Sequence, residues 1–241
     1  TLDFPLSLPS IKFGDYILTY SQSDETKTGK PTTVVLTNST VVAASLDKPS
    51  YRVRETVNVT VTAENTGRFN LGNASISVQV PDTGYSSTTL LTLSAGGKQA
   101  VQLSIPLPAA LSVGQHQIGL SLNLPSGSSV NRNVWFTVPD SSLKISYSGP
   151  SSLQAGDTIT LNLENSGGVD TGTDVWYSLW RSGEANGLSI VENESSISVP
   201  AGVSLPIQIS IPPQAVGGTY DLNASATNGQ NNGYSFKDKS L

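Results

Sequence analysis

Apolar and polar residues alternate strictly along the first stretch of the chain, T-L-D-F-P-L-S-L. A period of two is typical of a β-strand with one apolar face and one polar face. The pattern predicts an N-terminal strand within residues 1–10, and its apolar face consists of Leu2, Phe4, Leu6 and Leu8. No hairpin partner lies next to this strand, and its backbone groups need partners, so it must complete either its own sheet or that of a neighbouring molecule.

The following segment, residues 11–44, continues as extended chain. The stretches I-K-F-G-D-Y-I-L-T-Y (11–20) and T-T-V-V-L-T-N-S-T-V-V (32–42) are rich in β-formers, and a polar turn region separates them. This spacing predicts a hairpin with a long loop that joins or completes the first of the domains that follow.

Residues 45–139 and 140–241 share the same landmarks in the same order. E-T-V-N-V-T-V-T-A-E-N-T-G (55–67) matches D-T-I-T-L-N-L-E-N-S-G (157–167), and in both the strand ends in an Asn-X-Gly turn. Two later landmarks, at 93–108 and 114–122, also recur about a hundred residues further on. Short alternating strands with regular turns at this length predict an all-β chain of two tandem immunoglobulin-like sandwiches. The predicted inward faces consist of Val57, Val59, Val61 and Ala63 in the first copy and Ile159, Leu161 and Leu163 in the second.

These landmarks resemble those of CARDB-type immunoglobulin-like domains, which are common in secreted archaeal and bacterial surface proteins. The resemblance covers residues 45–139 and, more weakly towards its end, 143–241. It implies the sandwich fold and a surface location. Because such domains occur in adhesins, stalks and secreted enzymes alike, it does not imply one activity.

Two strands of the second copy differ from their counterparts in the first. The closing segment N-G-Y-S-F-K-D-K-S-L is poorly apolar, which predicts a groove and an unpaired edge at the end of the second sandwich. The stretch D-V-W-Y-S-L-W-R (174–181) is apolar on both faces, whereas I-S-V-Q-V (76–80) is apolar on one. Trp176 and Trp180 therefore mark a doubly covered strand or a contact surface, and periodicity alone leaves open which face is the core.

Composition narrows the possible partners. The net charge is −5 and there is no basic run, which disfavours a nucleic-acid partner. No apolar run is long enough for a membrane span, and no signal-peptide core is present, as expected of a secreted chain from which the signal has been removed. A surface rich in Ser, Thr, Asn and Gly, with only 13% charged residues, also suits an acidic exterior.

The residues that catalysis and metal binding need are scarce. The chain has no cysteine and one histidine, His116, so it offers no Ser–His triad, no zinc constellation and no Cys–His pair. We expect His116 to face solvent from its strand. The carboxylates between 170 and 194 lie among turn residues and are interpreted as surface groups, in preference to a glycosidase pair or a calcium loop. We therefore predict no enzymatic activity, no metal site and no cofactor.

Five Asn-X-Ser/Thr sequons are candidate N-glycosylation sites: Asn38, Asn58, Asn73, Asn193 and Asn223. About four would arise by chance from the Asn, Ser and Thr content, so their number alone proves little. Their parity places Asn58, Asn73 and Asn223 on outward faces and Asn193 in a turn-like E-N-E-S, while Asn38 is ambiguous. All five are compatible with N-linked glycans in a secreted protein.

The apolar N-terminal strand, the two sandwiches, the weak last strand and the sequons together resemble the thread filament subunits of thermoacidophilic archaea. In that family the N-terminal strand of one subunit inserts into a groove of the next, a form of β-augmentation. The resemblance implies an extracellular, cell-surface homopolymer that grows head-to-tail, serves adhesion or biofilm formation, and carries Leu2, Phe4, Leu6 and Leu8 as inserting residues. Two alternatives remain open: residues 2–8 belong to the chain's own sheet, or the chain is a carbohydrate- or receptor-binding module of a larger surface protein, with Trp176 and Trp180 as its contact surface.

Overall fold

A computed structural model describes residues 14–18, 32–36, 40–68, 70–150, 152–183, 189–227 and 233–240, with the backbone alone at 14–18, 32–36 and 233–240. It is all-β, with antiparallel sheets and, within these residues, one 3-10 turn at Pro81–Thr83. The first nine strands are β1 (Gly14–Leu18), β2 (Thr32–Leu36), β3 (Thr40–Leu46), β4 (Thr56–Asn65), β5 (Leu71–Val80), β6 (Tyr85–Leu93), β7 (Lys98–Pro106), β8 (Gly114–Asn123) and β9 (Ser129–Val138). The remaining strands are β10 (Leu143–Ser148), β11 (Thr158–Asn165), β12 (Thr171–Arg181), β13 (Val191–Val199), β14 (Ser204–Ser210), β15 (Tyr220–Thr227) and β16 (Gly233–Ser240).

The same pair of sheets occurs twice along the chain. Strands β3–β9 form a three-stranded sheet of order β3-β4-β7 and a four-stranded sheet of order β6-β5-β8-β9. Strands β10–β16 repeat this order as β10-β11-β14 and β13-β12-β15-β16. The prediction of an all-β chain built from antiparallel sheets is confirmed, and the sheets are consistent with β-sandwich domains.

The predicted hairpin appears as β1 paired with β2. The first three-stranded sheet begins at Thr40, before the predicted boundary at residue 45, because β3 pairs with β4 from Thr40↔Asn65 to Leu46↔Val59. The N-terminal strand with Leu2, Phe4, Leu6 and Leu8 lies outside the described residues, as does Asn38.

The chain folds as two compact units, and their boundaries do not follow the order of the sequence. Unit 1 comprises the described parts of Thr1–Asp47, Asn58–Ile105 and Gln117–Trp135, and unit 2 comprises Lys48–Val57, Pro106–His116 and the described parts of Phe136–Leu241. Unit 2 is therefore discontinuous: two short segments from the first half of the chain belong to it.

Alternation places the cores as predicted. Val59, Val61 and Ala63 on β4 are at most 1% exposed, and so are Ile159, Leu161 and Leu163 on β11. In unit 2 the β11 residues share one core cluster with Val175, Tyr177 and Leu179 of β12, so its two sheets pack face to face. This settles the ambiguity of β12: the Val175/Tyr177/Leu179 face is the core, and the tryptophans are on the other face.

The expectation that His116 faces solvent is wrong. Its side chain is 3% exposed, because it lies two residues before Ile118 on β8 and shares the inward parity of that residue. The ring packs against Phe136 with centroids 5.3 Å apart, and Nε2–H donates to the Ser112 carbonyl oxygen over 2.8 Å. His116 is thus a buried, hydrogen-bonded residue.

Each Asn-X-Gly turn contains a buried asparagine that links several backbone segments. Asn165 is fully buried at the end of β11. Its Oδ1 accepts the N–H groups of Gly167 (3.0 Å) and Ser142 (3.1 Å), and its Nδ2 donates to the carbonyls of Val169 (2.8 Å) and Val199 (3.1 Å).

Asn65 has the equivalent place in unit 1. It accepts the Gly67 N–H at 3.0 Å and donates to the carbonyls of Leu93 (3.3 Å) and Ser94 (3.0 Å). The sequence indicated a turn at both positions and gave no sign that the asparagines would be buried.

The loop after Asn165 packs closely against other segments of unit 2. A Cβ on Gly167 would overlap the Asp140 carbonyl oxygen, so only glycine fits. Across the loop, the Val53 N–H donates to the Gly168 carbonyl at 2.8 Å. The segment Lys48–Val57 is therefore hydrogen-bonded to this loop, and the chain between β9 and β10 packs against it.

A forked ion pair joins the same loop to the segment Lys48–Val57. Arg54 Nη1 and Nη2 donate to Asp170 Oδ1 and Oδ2 over 2.7 and 2.5 Å, and the Ala201 N–H donates to Oδ1 over 3.0 Å. The hydrogen bonds from Arg54, and then that from Ala201, lower the pKa of Asp170 to about 2 from its ordinary 3.8. Arg54 adopts φ +66°, a left-handed conformation that is unfavourable for a residue with a Cβ.

Candidate functional site

The most distinctive surface lies on the outward side of the four-stranded sheet of unit 2. We call it the tryptophan face and define it by Trp176, Ser178 and Trp180 on β12 with the cross-strand neighbours Glu192 and Glu194 on β13 and Asp221, Asn223 and Ser225 on β15. Because side chains alternate along a strand, burying Val175, Tyr177 and Leu179 in the core turns both tryptophans outwards. Both indoles are half-buried.

Both indole N–H groups have partners, and these fix the rings. Trp176 Nε1 donates to Glu192 Oε1 over 3.2 Å, and the hydroxyl of Ser189 donates to the other oxygen of that carboxylate over 3.0 Å. Trp180 Nε1 donates to Ser178 Oγ. Ser178 is fully buried, although it lies on the outward face, because it stands between the two indoles.

Asn223 contributes an acceptor without a partner. It lies opposite Ser178 on β15, where the β15–β16 register shifts between Leu222 and Ala224. A bulge of this kind re-aims the side chain at that position. Asn223 Oδ1 is buried, and within the described part of the chain no hydrogen-bond donor reaches it. Buried polar atoms are nearly always paired, so this oxygen needs an explanation.

Unit 1 has a polar surface in the corresponding place. Ile76, Val78 and Val80 of β5 are buried like Val175, Tyr177 and Leu179 of β12, so Ser77 occupies the position that corresponds to Trp176. Ser77 accepts from Asn123 Nδ2 over 3.0 Å, beside a polar depression of about 380 Å³. Outward aromatic rings on this central strand are therefore peculiar to the second copy; in unit 1 the exposed indole, Trp135, lies on β9 at the edge of the sheet.

A second feature of unit 2 is an apolar cavity of about 230 Å³ where β12 ends and β15 begins. Its rim includes Val216, whose side chain is 66% exposed, and Tyr220, whose hydroxyl donates to the Val216 carbonyl over 2.5 Å. Its lining is mainly apolar and comprises Leu153, Ala155, Leu179, Ile190, Ile211, Ala215, Val216 and Tyr220, together with Ser152, Gln154, Gly217 and Gly218. The cavity opens between the two sheets, where the core is incompletely covered.

No protein-family model matches the chain. No curated protein matches it either. Among solved structures, a crystal structure of red sea bream transglutaminase is similar over 83% of this chain and 31% of its own length, at 10% sequence identity and a TM-score of 0.37. The chain thus spans about a third of that protein, and a similarity this weak carries no argument about function.

The poorly apolar closing segment of the second copy forms a strand that pairs with β15, so β15 has no open edge, and within the described residues the free edge of this sheet is β16 itself. β16 pairs with β15 from Thr227↔Gly233 to Asp221↔Ser240. Within the described residues, the edge strands of the two sheets of the second copy are β10 and β14 in one sheet and β13 and β16 in the other. Glu192 and Glu194 on β13 and Pro206 on β14 are features that discourage unspecific strand pairing.

The described sequons differ in their surroundings. Asn58 is exposed, donates to Asp47 over 3.2 Å and accepts from Ser104 over 3.1 Å. Asn73 is exposed at φ +58° in a bulge of β5. Asn193 lies in β13, so the turn predicted there is wrong, although the residue is exposed at the sheet edge.

Among the described residues, no three His, Asp or Glu side chains come together in a way that could hold a metal ion. In the same part of the chain, no helix has the length and apolarity to cross a membrane.

Proposed function

We propose that this protein is the structural subunit of an extracellular, cell-surface filament that polymerises head-to-tail and serves adhesion or biofilm formation. In this proposal the two sets of sheets are tandem CARDB-type immunoglobulin-like domains, and the N-terminal strand is donated to the next subunit. The observation that carries the proposal is that one chain has both an alternating apolar segment, residues 2–8, and an open, mainly apolar cavity in unit 2.

The acceptor is the cavity rather than a missing last strand, because β16 already covers the edge of β15. Ile190, Val216 and Tyr220 line the cavity and are partly or largely exposed. Apolar side chains of an incoming strand would fill it and cover them. Because β13 and β14 discourage unspecific pairing, filling of the cavity supplies the specificity.

The cavity has room for about two of the four apolar side chains, since a cavity of about 150 Å³ holds one benzene-sized group. Burial of a large apolar side chain contributes about 1.5–3 kcal/mol, so two in the cavity contribute about 3–6 kcal/mol, and two more packed on its rim raise the total to about 6–12 kcal/mol, before the entropy of ordering the strand is subtracted. The contact joins different surfaces of two copies, so it does not close on itself and propagates as a fibre.

We also propose that Asn38, Asn58, Asn73, Asn193 and Asn223 carry N-linked glycans in a glycosylating host. The exposure of Asn58, Asn73 and Asn193 supports this for three of them. Mass spectrometry of peptides from the native protein tests each position separately. Unmodified asparagine at all five positions would contradict the proposal.

The assembly proposal is tested by deleting residues 1–9. We expect fibres of the intact protein in electron micrographs and monomers of the deletion variant by sedimentation. A matched pair of full-length variants sharpens the test: Leu6→Ser with Leu8→Ser should reduce assembly, whereas Asp3→Ser with Ser7→Ala should not. Val216→Asp alters the exposed rim of the cavity and should also reduce assembly without unfolding the protein. Fibres from the deletion variant, or monomers of the intact protein at all concentrations, would refute donation.

A further inference from the structure

We propose that the tryptophan face of unit 2 binds a neutral saccharide, a binding activity separate from assembly. The two indoles project from one face of β12 four residues apart, or about 13 Å at 3.3 Å per residue. This distance exceeds one pyranose ring, so each indole would contact a different unit of an oligosaccharide. The flat apolar face of an indole suits the C–H face of a sugar ring.

The rings are held in place before any ligand arrives. The hydrogen bonds from Trp176 to Glu192 and from Trp180 to Ser178 restrict their rotation, and buried Ser178 fills the space between them. Such preorganisation reduces the entropy lost on binding. The indole N–H groups are satisfied within the protein, so the aromatic faces are what remains for a ligand.

The polar groups beside the rings select a ligand that donates hydrogen bonds. Asn223 Oδ1 is a buried acceptor without a donor in the described part of the chain, and because the residue is part-exposed, its side chain can turn outwards to accept a hydrogen bond from a sugar hydroxyl. The carboxylates of Glu192, Glu194 and Asp221 border the same face and accept only. Their negative charge disfavours acidic sugars, and their interleaving with the rings disfavours an apolar protein surface. A neutral hexose polymer fits both the rings and the acceptors.

The ligand could come from two sources with the same chemistry. One is a glycan attached to Asn223 itself, which heads the sequon Asn223-Ala224-Ser225 on this face. The other is a polysaccharide outside the chain. The two are distinguished by comparing unglycosylated protein from a bacterial cytoplasm with glycosylated native protein and its Ser225→Ala variant, which removes the sequon and keeps the Asn223 side chain.

The direct test is titration of the unglycosylated protein with cellohexaose, mannohexaose and maltohexaose, followed by tryptophan fluorescence. Binding of at least one of them, weakened roughly two- to tenfold by Trp176→Ala or Trp180→Ala, is expected from the contribution of one aromatic contact. Trp135→Ala is the matched control, because Trp135 is 52% exposed on β9 in unit 1 and should leave affinity unchanged. Trp176→Phe and Trp180→Phe keep an aromatic ring, so they report on binding if an alanine variant fails to fold.

Several outcomes would overturn the proposal. One is the absence of any change in tryptophan fluorescence with each of the three sugars up to about 10 mM, a concentration at which even weak sites would respond. Another is an equal affinity of the Trp176→Ala, Trp180→Ala and Trp135→Ala variants for the sugar. If the Ser225→Ala variant of the native protein gains affinity for free oligosaccharide, the resident sugar is the tethered glycan; if it does not, the ligand is external. Deletion of residues 1–9 should leave sugar binding intact, so this proposal and the filament proposal can fail separately.

Discussion

Replacing Asn165 by alanine should destabilise unit 2 severely. The side chain serves four backbone groups, and the bonds to the Gly167 N–H and the Val199 carbonyl are buried. A buried group left unsatisfied costs about 1–3 kcal/mol. The groups of Ser142 and Val169 are partly accessible and can regain water, so each should cost about 0.5–1 kcal/mol. We expect a loss of about 3–8 kcal/mol, a large share of the 5–15 kcal/mol typical of a domain.

The assay is urea denaturation followed by tryptophan fluorescence in a Trp135→Phe background. Trp176 and Trp180 then report on unit 2 alone, since Trp135 is the tryptophan that lies in unit 1. Asn162→Ala is the matched control: Asn162 lies on the same strand, and its side chain makes one exposed hydrogen bond, to Ser148 over 2.7 Å. That control should lose no more than about 1 kcal/mol.

If Asn165→Ala and Asn162→Ala differ by less than about 1 kcal/mol, the buried bonds do not carry the stability assigned to them. A second substitution separates the effect of the Asn165 Nδ2 donor from that of its Oδ1 acceptor. Asn165→Asp keeps Oδ1 as an acceptor but buries a charge, which raises the pKa of the introduced carboxyl. The penalty should therefore be largest at neutral pH and decrease as the pH falls and the carboxyl is protonated.

Two further predictions concern the loop that follows Asn165. The pKa of Asp170 is about 2 in the folded state, below its ordinary 3.8, so the stabilising effect of the ionised carboxylate is complete above about pH 4 and is lost as the pH falls towards 2. Melting temperatures measured between pH 2 and 5 should therefore fall less steeply for Asp170→Asn than for the unaltered protein. Parallel curves would contradict the assignment. Gly167→Ala should destabilise unit 2 by about 2–4 kcal/mol because the new Cβ would overlap the Asp140 carbonyl oxygen. Gly172→Ala is the control: its Cβ would have no atom within 4 Å, so this variant should melt like the unaltered protein. Equal melting temperatures of the two variants would rule out the close approach of residue 167 to Asp140.

Periodicity was sufficient to predict the cores. Val59 and Leu161 are buried as their alternation indicates, because each sheet packs on one side only. The same rule, applied to His116, would have predicted a buried residue, because His116 has the same parity as Ile118 on β8. The polarity of histidine suggested solvent, but a polar ring can be buried when a carbonyl such as that of Ser112 accepts its proton.

Other features depend on contacts that a sequence pattern does not encode. The core face of β12 was ambiguous because both of its faces are apolar, and only the packing of β11 against it decides between them. Asn165 resembled an ordinary turn residue, because its partner at Val199 lies 34 residues further along the chain. The orphaned oxygen of Asn223 arises from a bulge in the pairing with β16, and register shifts leave little trace in composition.

The discontinuity of unit 2 affects how the protein can be divided for experiments. Val53 donates to Gly168, and Arg54, in its left-handed conformation, is held by Asp170. A fragment that ends at residue 140 would retain the segment Lys48–Val57 but lack both of these partners, and one that begins at residue 140 would lack the segment itself. A cut at the apparent domain boundary therefore removes part of the structure from each product, and stabilities measured on the two fragments should not be expected to sum to that of the intact chain.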